Sequence, residues 1–138
     1  MKDFKFLAID PGTGKCGLAV LDSRGAIVEK RVADFSSVET AAAEMLAGNG
    51  DVSLAAVGGG TGADEVIRKM KTVPGFPERI EKVREKNTTL DARKIYEEEN
   101  PRPWPLKIIP FGLLGLPEDM DAYAAVAIGR RFLEKMSR

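Results

Sequence analysis

The chain has 138 residues, 43% of them apolar, which suits one compact domain with a substantial core and excludes a disordered chain. Basic and acidic residues balance at 21 each, so there is no global basic field like that of many nucleic-acid binders, although a local basic rim stays open. Histidine is absent and cysteine occurs once, at Cys16, which removes Ser-His-Asp and Cys-His catalysis, imidazole ligands, an internal disulfide and a thiolate zinc site. Chemistry then falls to carboxylates, lysine, hydroxyls or a metal held by oxygen, for which Mg²⁺ or Mn²⁺ is the match. No apolar run reaches the length of a membrane span, a strand pattern follows Met1-Lys2-Asp3 without a signal peptide, and the cysteine usage fits a reducing compartment. A cytoplasmic protein with no membrane partner is expected.

Phe4 to Asp10 reads as a buried strand, Cys16 to Leu21 as a second and Ala26 to Phe35 as a third, with Asp22-Ser23-Arg24-Gly25 as a hairpin turn. Three successive strands with short turns predict an antiparallel meander. Ser36 or Ser37 can cap a helix from Val38 to about Ala47, ended by Gly48-Asn49-Gly50. Ser53 to Val57 is a short apolar strand, and Gly58 to Gly62 is a glycine loop. The loop opens a helix from Ala63 to about Thr72, with Val66, Ile67 and Met70 on one face, and Pro74-Gly75-Phe76-Pro77 then breaks the chain. Arg79 to Glu85 reads as a strand, and Thr88 or Thr89 opens a helix to about Glu99. With Thr88 at the N-cap, Asp91 falls at the N3 position of a capping-box-like arrangement. Asn100-Pro101-Arg102-Pro103-Trp104-Pro105 must be extended, Leu106 to Ile109 is a short strand or extended segment, and a last helix runs from about Glu118 to Lys135. A meander followed by strand–helix alternation predicts an α/β mixed sheet with helices on both faces, in a single domain over 1–138.

The first candidate for chemistry is Asp10, a lone carboxylate where a buried strand meets the Pro11-Gly12 turn, a place suited to a metal ion or a phosphate. Thr13-Gly14-Lys15 invites comparison with a phosphate-binding P-loop, but Ile9 stands where that motif needs glycine and Cys16 where it needs Ser or Thr. Gly58, Gly60 and Ala63 satisfy G-x-G-x-x-A, with Glu81 near the offset of a ribose-binding acid, yet too little chain follows to build a dinucleotide fold. That loop is either a tight turn or one whose backbone N–H groups, around Gly60 and Thr61, hold a phosphate at a helix N-terminus. Glu85 lies in a charged run that by itself is a solvated stretch. It gains interest because the strand pattern ends there and a capped helix starts just after, so that it could share the sheet edge with Asp10. From Asp121, helical spacing leads to Ala125, Ile128 and Phe132, an inward stripe, so this acid sits on the buried face of a first turn. The helix dipole alone favours an acid there. Asp119, on a different face, is a weaker candidate.

These segments resemble the motifs of the RuvC-like, RNase H-fold nucleases, and most closely the YqgF (RuvX) family of Holliday-junction resolvases and pre-ribosomal RNA nucleases. Asp10, Gly12, Lys15 and Gly17-Leu18-Ala19 match the family's first motif in spacing. Arg84-Glu85-Lys86-Asn87-Thr88-Thr89 with Ala92-Arg93 is similar to the second, and Asp121 with Ala124-Ala125 to the third. The segments come in the family's order and span nearly the whole chain. Gly14, Cys16, Arg84 and Asn87 depart from the usual residues, which marks a divergent member.

The resemblance implies an RNase H-like five-stranded mixed sheet and a metal-dependent endonuclease acting on branched DNA or structured RNA such as a ribosomal RNA precursor. Asp10, Glu85 and Asp121 would be both the catalytic and the metal-binding residues, and Mg²⁺ or Mn²⁺ the cofactor. A pair of such ions would activate water for in-line phosphodiester displacement. Lys15, Arg84, Lys86 and Arg93 would contact phosphates, together with the Gly60–Thr61 loop. Trp104 would pack over the core or stack on a base. A homodimer stays open. The alternative is a catalytically silent nucleic-acid-binding protein of the same fold. Nucleotide binding of the actin–hexokinase kind, where an Asp-x-Gly-Thr turn grips phosphate, needs two such domains where this length supplies one.

Overall fold

A computed structural model of the protein describes residues 3–84, 88–102 and 118–137. Five strands, β1 (Lys5–Asp10), β2 (Lys15–Asp22), β3 (Ile27–Asp34), β4 (Val52–Gly58) and β5 (Ile80–Val83), form one sheet in the order β3-β2-β1-β4-β5. Pairing is antiparallel for β1 with β2 and β2 with β3, and parallel for β1 with β4 and β4 with β5. The predicted meander followed by parallel strands is therefore the architecture found. The β2–β3 turn is held by Asp22, whose Oδ1 accepts from the Arg24 and Ala26 amides at 2.9 and 3.0 Å, so the side chain takes over bonds the ladder leaves open.

Among the described residues four α-helices cover the sheet: α1 (Val38–Asn49), α2 (Ala63–Met70), α3 (Thr88–Glu99) and α4 (Met120–Met136). Strand alternation sorts the core into two layers. Leu7, Ile9, Leu18 and Val20 pack with Val38, Met45, Val66 and Met70 of α1 and α2. Phe6, Ala8, Ala19 and Leu21 pack with Ile95 of α3 and with Val126, Ile128 and Phe132 of α4. At Gly129 the packing is so close that an added Cβ would collide with the Leu21 side chain and press on Ala8, which lets α4 lie low across β1 and β2.

Several boundaries differ from the sequence expectation. A 3₁₀ turn over Phe35–Ser37 precedes α1, so Ser36 lies inside that turn. Ser37 occupies the N-cap position but donates back to the Asp34 carbonyl at 3.4 Å instead of capping. Gly48 does not end α1, because Asn49 Nδ2 donates to Met45 O at 2.7 Å and Glu29 Oε1 at 2.9 Å and carries the helix to Gly50. In α2, which stops at Met70, Val66 and Met70 are fully buried while Ile67 is half-buried. Strand β5 ends at Val83, where its partner β4 also ends at Gly58. Thr88 is the first residue of α3 rather than its cap, and Asp91 pairs with Arg131 of α4 at 2.9 Å. Trp104 and the segment 106–109 lie outside the described residues. No helix among the described residues is long and apolar enough to cross a membrane.

Candidate carboxylate site at the sheet edge

Because β1, β4 and β5 run parallel, their C-terminal ends share one edge of the sheet. Asp10 ends β1 there. Its cross-strand partner is Gly17 of β2, and Gly17 in turn pairs with Val32 of β3. Asp10 has the parity of Phe6 and Ala8, so it lies on the face covered by α3 and α4. The same row carries the first turn of α4. A Cβ built on Gly17 would fall inside the Asp121 carbonyl oxygen and against the Ala122 nitrogen. Only a hydrogen at this position lets the helix seat Asp121 against the strand directly paired with Asp10.

Asp10 and Asp121 lie 111 residues apart in sequence, since 121 − 10 = 111, and the backbone of Asp121 rests on the glycine paired with Asp10. Antiparallel partners stand about 5 Å apart at Cα, which makes Asp10 and the Asp121 turn neighbours across Gly17. Both are half-buried. Their charges also register at Cys16, fully buried on the opposite face of the sheet. Burial pushes the Cys16 thiol upward most, the Gly12 carbonyl it donates to at 3.8 Å works against this, and the negative charges of Asp10 and Asp121 add to the upward shift.

The other expected site residues fall into three groups. Lys15, the first residue of β2, is exposed at the same edge. Gly60 and Thr61 follow β4 at that edge, in a loop whose Gly59 amide donates to Val83 O at 2.7 Å and whose Gly60 carbonyl accepts from the Ala63 amide at 3.2 Å. Arg84 is exposed one residue beyond β5, and its carbonyl accepts from Arg131 Nη1 at 3.1 Å. Arg93 is half-buried, five residues past the start of α3. Glu85 and Lys86 lie outside the described residues. Among the described residues no three acidic, histidine or cysteine side chains gather to hold a metal. Asp10 and Asp121 offer the carboxylate oxygens that suit a hard divalent cation, and further oxygen donors would be needed to complete a site.

Two features of the site were not anticipated. Lys30 of β3 donates to Asp119 Oδ2 at 2.7 Å, so Asp119 is an ion-pair partner before it is a ligand candidate. Arg131 joins the exit of β5 to α3 and α4 through the Arg84 carbonyl and Asp91. Both are long-range pairs between charges that the sequence shows only as exposed ions. Gly17, by contrast, carried a visible signal: a glycine inside an otherwise apolar strand marks close approach by another backbone.

No family model matches the chain, and no curated protein matches it in sequence. Among solved structures it is similar to RuvC of Thermus thermophilus, with a TM-score of 0.55 and 14% identity over 96% of each chain. The same protein in complex with Holliday junction substrate matches with a TM-score of 0.49 at 14% identity, again over 96% of each chain. A ROK family glucokinase from Streptomyces griseus matches over 64% of this chain with a TM-score of 0.43 and 16% identity, and the chain spans only 36% of that kinase's length. Together with the sheet order and the helices on both faces, the full-length RuvC match identifies the fold as RNase H-like.

Proposed function

We propose that the chain is a divalent-metal-dependent endonuclease of the YqgF kind, hydrolysing phosphodiester bonds in structured nucleic acid, either branched DNA or a ribosomal RNA precursor. The observation that carries the reading is the seating of Asp121 on Gly17, the direct partner of Asp10. The RuvC-like fold and the ordered motifs around Asp10, Glu85 and Asp121 support it.

Asp10 and Asp121 would hold Mg²⁺ or Mn²⁺, with Glu85, two residues past the last residue of β5, as the third carboxylate. Bound there, the cation would supply Lewis-acid stabilisation of charge on the phosphate and an activated water. The carboxylates fix the position at which the phosphodiester must present itself. Lys15 and the Gly60–Thr61 loop border that edge and would orient the phosphate, Lys15 as a point charge and the loop through backbone N–H groups. Arg84, Lys86 and Arg93 would share the phosphate-contacting role. With no global positive field, affinity would depend on this local rim and on nucleic-acid shape. The same proposal places the protein in the cytoplasm as a single domain without a membrane partner, with a homodimer open.

The test is a cleavage screen of four-way DNA junctions and ribosomal RNA precursors with Mg²⁺ or Mn²⁺, comparing the wild type with Asp10→Asn. Cleavage by the wild type that is lost in the variant is expected. Failure to cut any of these with either metal contradicts the enzyme reading. Retained RNA binding in that case would favour the catalytically silent alternative.

A further inference from the structure

We propose that the Lys30–Asp119 ion pair is a positioning latch that sets Asp121 beside Asp10, an inference that rests on the metal-site reading above. Asp119 is the N-cap residue of α4, the position where an aspartate ordinarily accepts a hydrogen bond from its own helix. Here its side chain makes no capping bond. The backbone carbonyl of Asp119 instead accepts from the Ala122 and Tyr123 amides at 3.0 and 3.4 Å, and the carboxylate reaches Lys30, 89 residues away in sequence.

Lys30 is itself held. Its cross-strand partner is Ala19, which places it on the α4 face of the sheet, and its ammonium lies 4.8 Å from the centroid of the Tyr123 ring. Tyr123 is buried, stacks edge-on against Tyr96 at 5.3 Å and accepts from Asn100 Nδ2 at 3.1 Å. The latch thus connects an edge strand to the first turn of α4 through a side chain with little freedom to move.

The consequence for the site is geometric. The first turn of α4 crosses the row Asp10–Gly17–Val32, with Asp10 on one side of the contact. On the β3 side lies an open pocket of about 470 Å³, lined by Lys15, Lys30, Val32, Asp119 and Ala122 among others. Gly17 permits close approach, but a hydrogen does not enforce it, and the pocket leaves the turn room to move. The ion pair, two residues from Asp121, supplies the restraint. The Lys30 and Asp119 side chains are 31% and 42% exposed, so the pair adds little to global stability and its effect falls on placement.

Two measurements on the full chain test this: amide hydrogen exchange of Ala122 and Tyr123 without metal, and calorimetric titration with Mn²⁺. Lys30→Met and Asp119→Ala should each speed exchange at those two amides severalfold and weaken Mn²⁺ binding about tenfold, the lower end of the usual range for residues that orient a metal ligand. The swap of Lys30→Asp with Asp119→Lys should restore both, and Lys30→Arg should keep both. Unchanged exchange and unchanged Mn²⁺ affinity in the single variants would overturn the latch, as would a lowered melting temperature with Mn²⁺ affinity intact. A wild type that binds no Mn²⁺ removes the metal-site reading instead, and the exchange arm still shows whether the pair fixes the turn.

Discussion

The two faces of the sheet are built from alternate residues of the same strands, yet they serve different ends. Leu7, Ile9, Leu18 and Val20 bury an apolar layer against α1 and α2 and stay apolar to the end of the strands, where Cys16 closes the row. On the other face the side chains of β1 run Phe6, Ala8, Asp10, and those of β2 run Leu21, Ala19, Gly17. Side chains shrink toward the edge as α4 comes closer, and the row ends in a carboxylate. A period of two therefore lets one strand contribute both stability and a site, with the parity of each residue deciding which.

That separation can be broken or sharpened by substitution. The largest effect is expected from Asp10→Asn, which should lower metal-dependent cleavage on the order of a thousandfold, the several kcal/mol a catalytic cation supplies. Its melting temperature should stay near that of the wild type, because the residue is half-buried at a strand end; a large drop would show that the edge acid also holds the fold. On the opposite face, Met45→Ala should cost about 2–5 kcal/mol in urea unfolding, as a fully buried side chain lost to a cavity does. Its Mn²⁺ affinity should not change, and a fall would mean that the faces are coupled. Gly17→Ala should do both at once: a loss of about 1–3 kcal/mol from overpacking, and weaker Mn²⁺ binding as α4 lifts from the strand.

The smallest effect is expected at Cys16. Burial, then the charges of Asp10 and Asp121, hold its pKa above the ordinary thiol value of 9.0. The thiol should react with an alkylating reagent far more slowly in the native protein than in urea. Because the folded pKa is the raised one, the unfolded chain loses its proton first, so this contribution to stability is present below pH 9.0 and is lost as pH rises from there through the raised folded value. Replacing either aspartate with asparagine should speed alkylation slightly, and no change in either variant would show that the two charges do not reach the thiol.

Much of this fold was legible in the sequence because its signals are local. Apolar runs of strand length, the Asp22–Gly25 turn and the alternation of strand and helix predict the mixed sheet directly, and Asp121 fell on the inward stripe of α4 as spacing requires. Boundaries slipped where the expected bond gave way to another: Ser37 turns back to Asp34 three residues earlier, Asn49 prolongs α1 by reaching Glu29, and Asp91 pairs across to Arg131. In the candidate site, the position of Asp10 at the end of β1 was legible in the strand pattern, whereas the Lys30–Asp119 pair was not. Its partners belong to an edge strand and a final helix, and no periodicity connects two charges so far apart.

The central claim is that Asp10 and Asp121 form one cation-binding pair across Gly17. Calorimetric titration of Mn²⁺ into the wild type, Asp10→Asn, Asp121→Asn and the double variant tests it most directly. Saturable binding by the wild type is predicted, weakened at least about tenfold in each single variant, with a double variant whose loss is smaller than the sum of the two. Equal affinity in all four proteins, or no binding by the wild type, would contradict it.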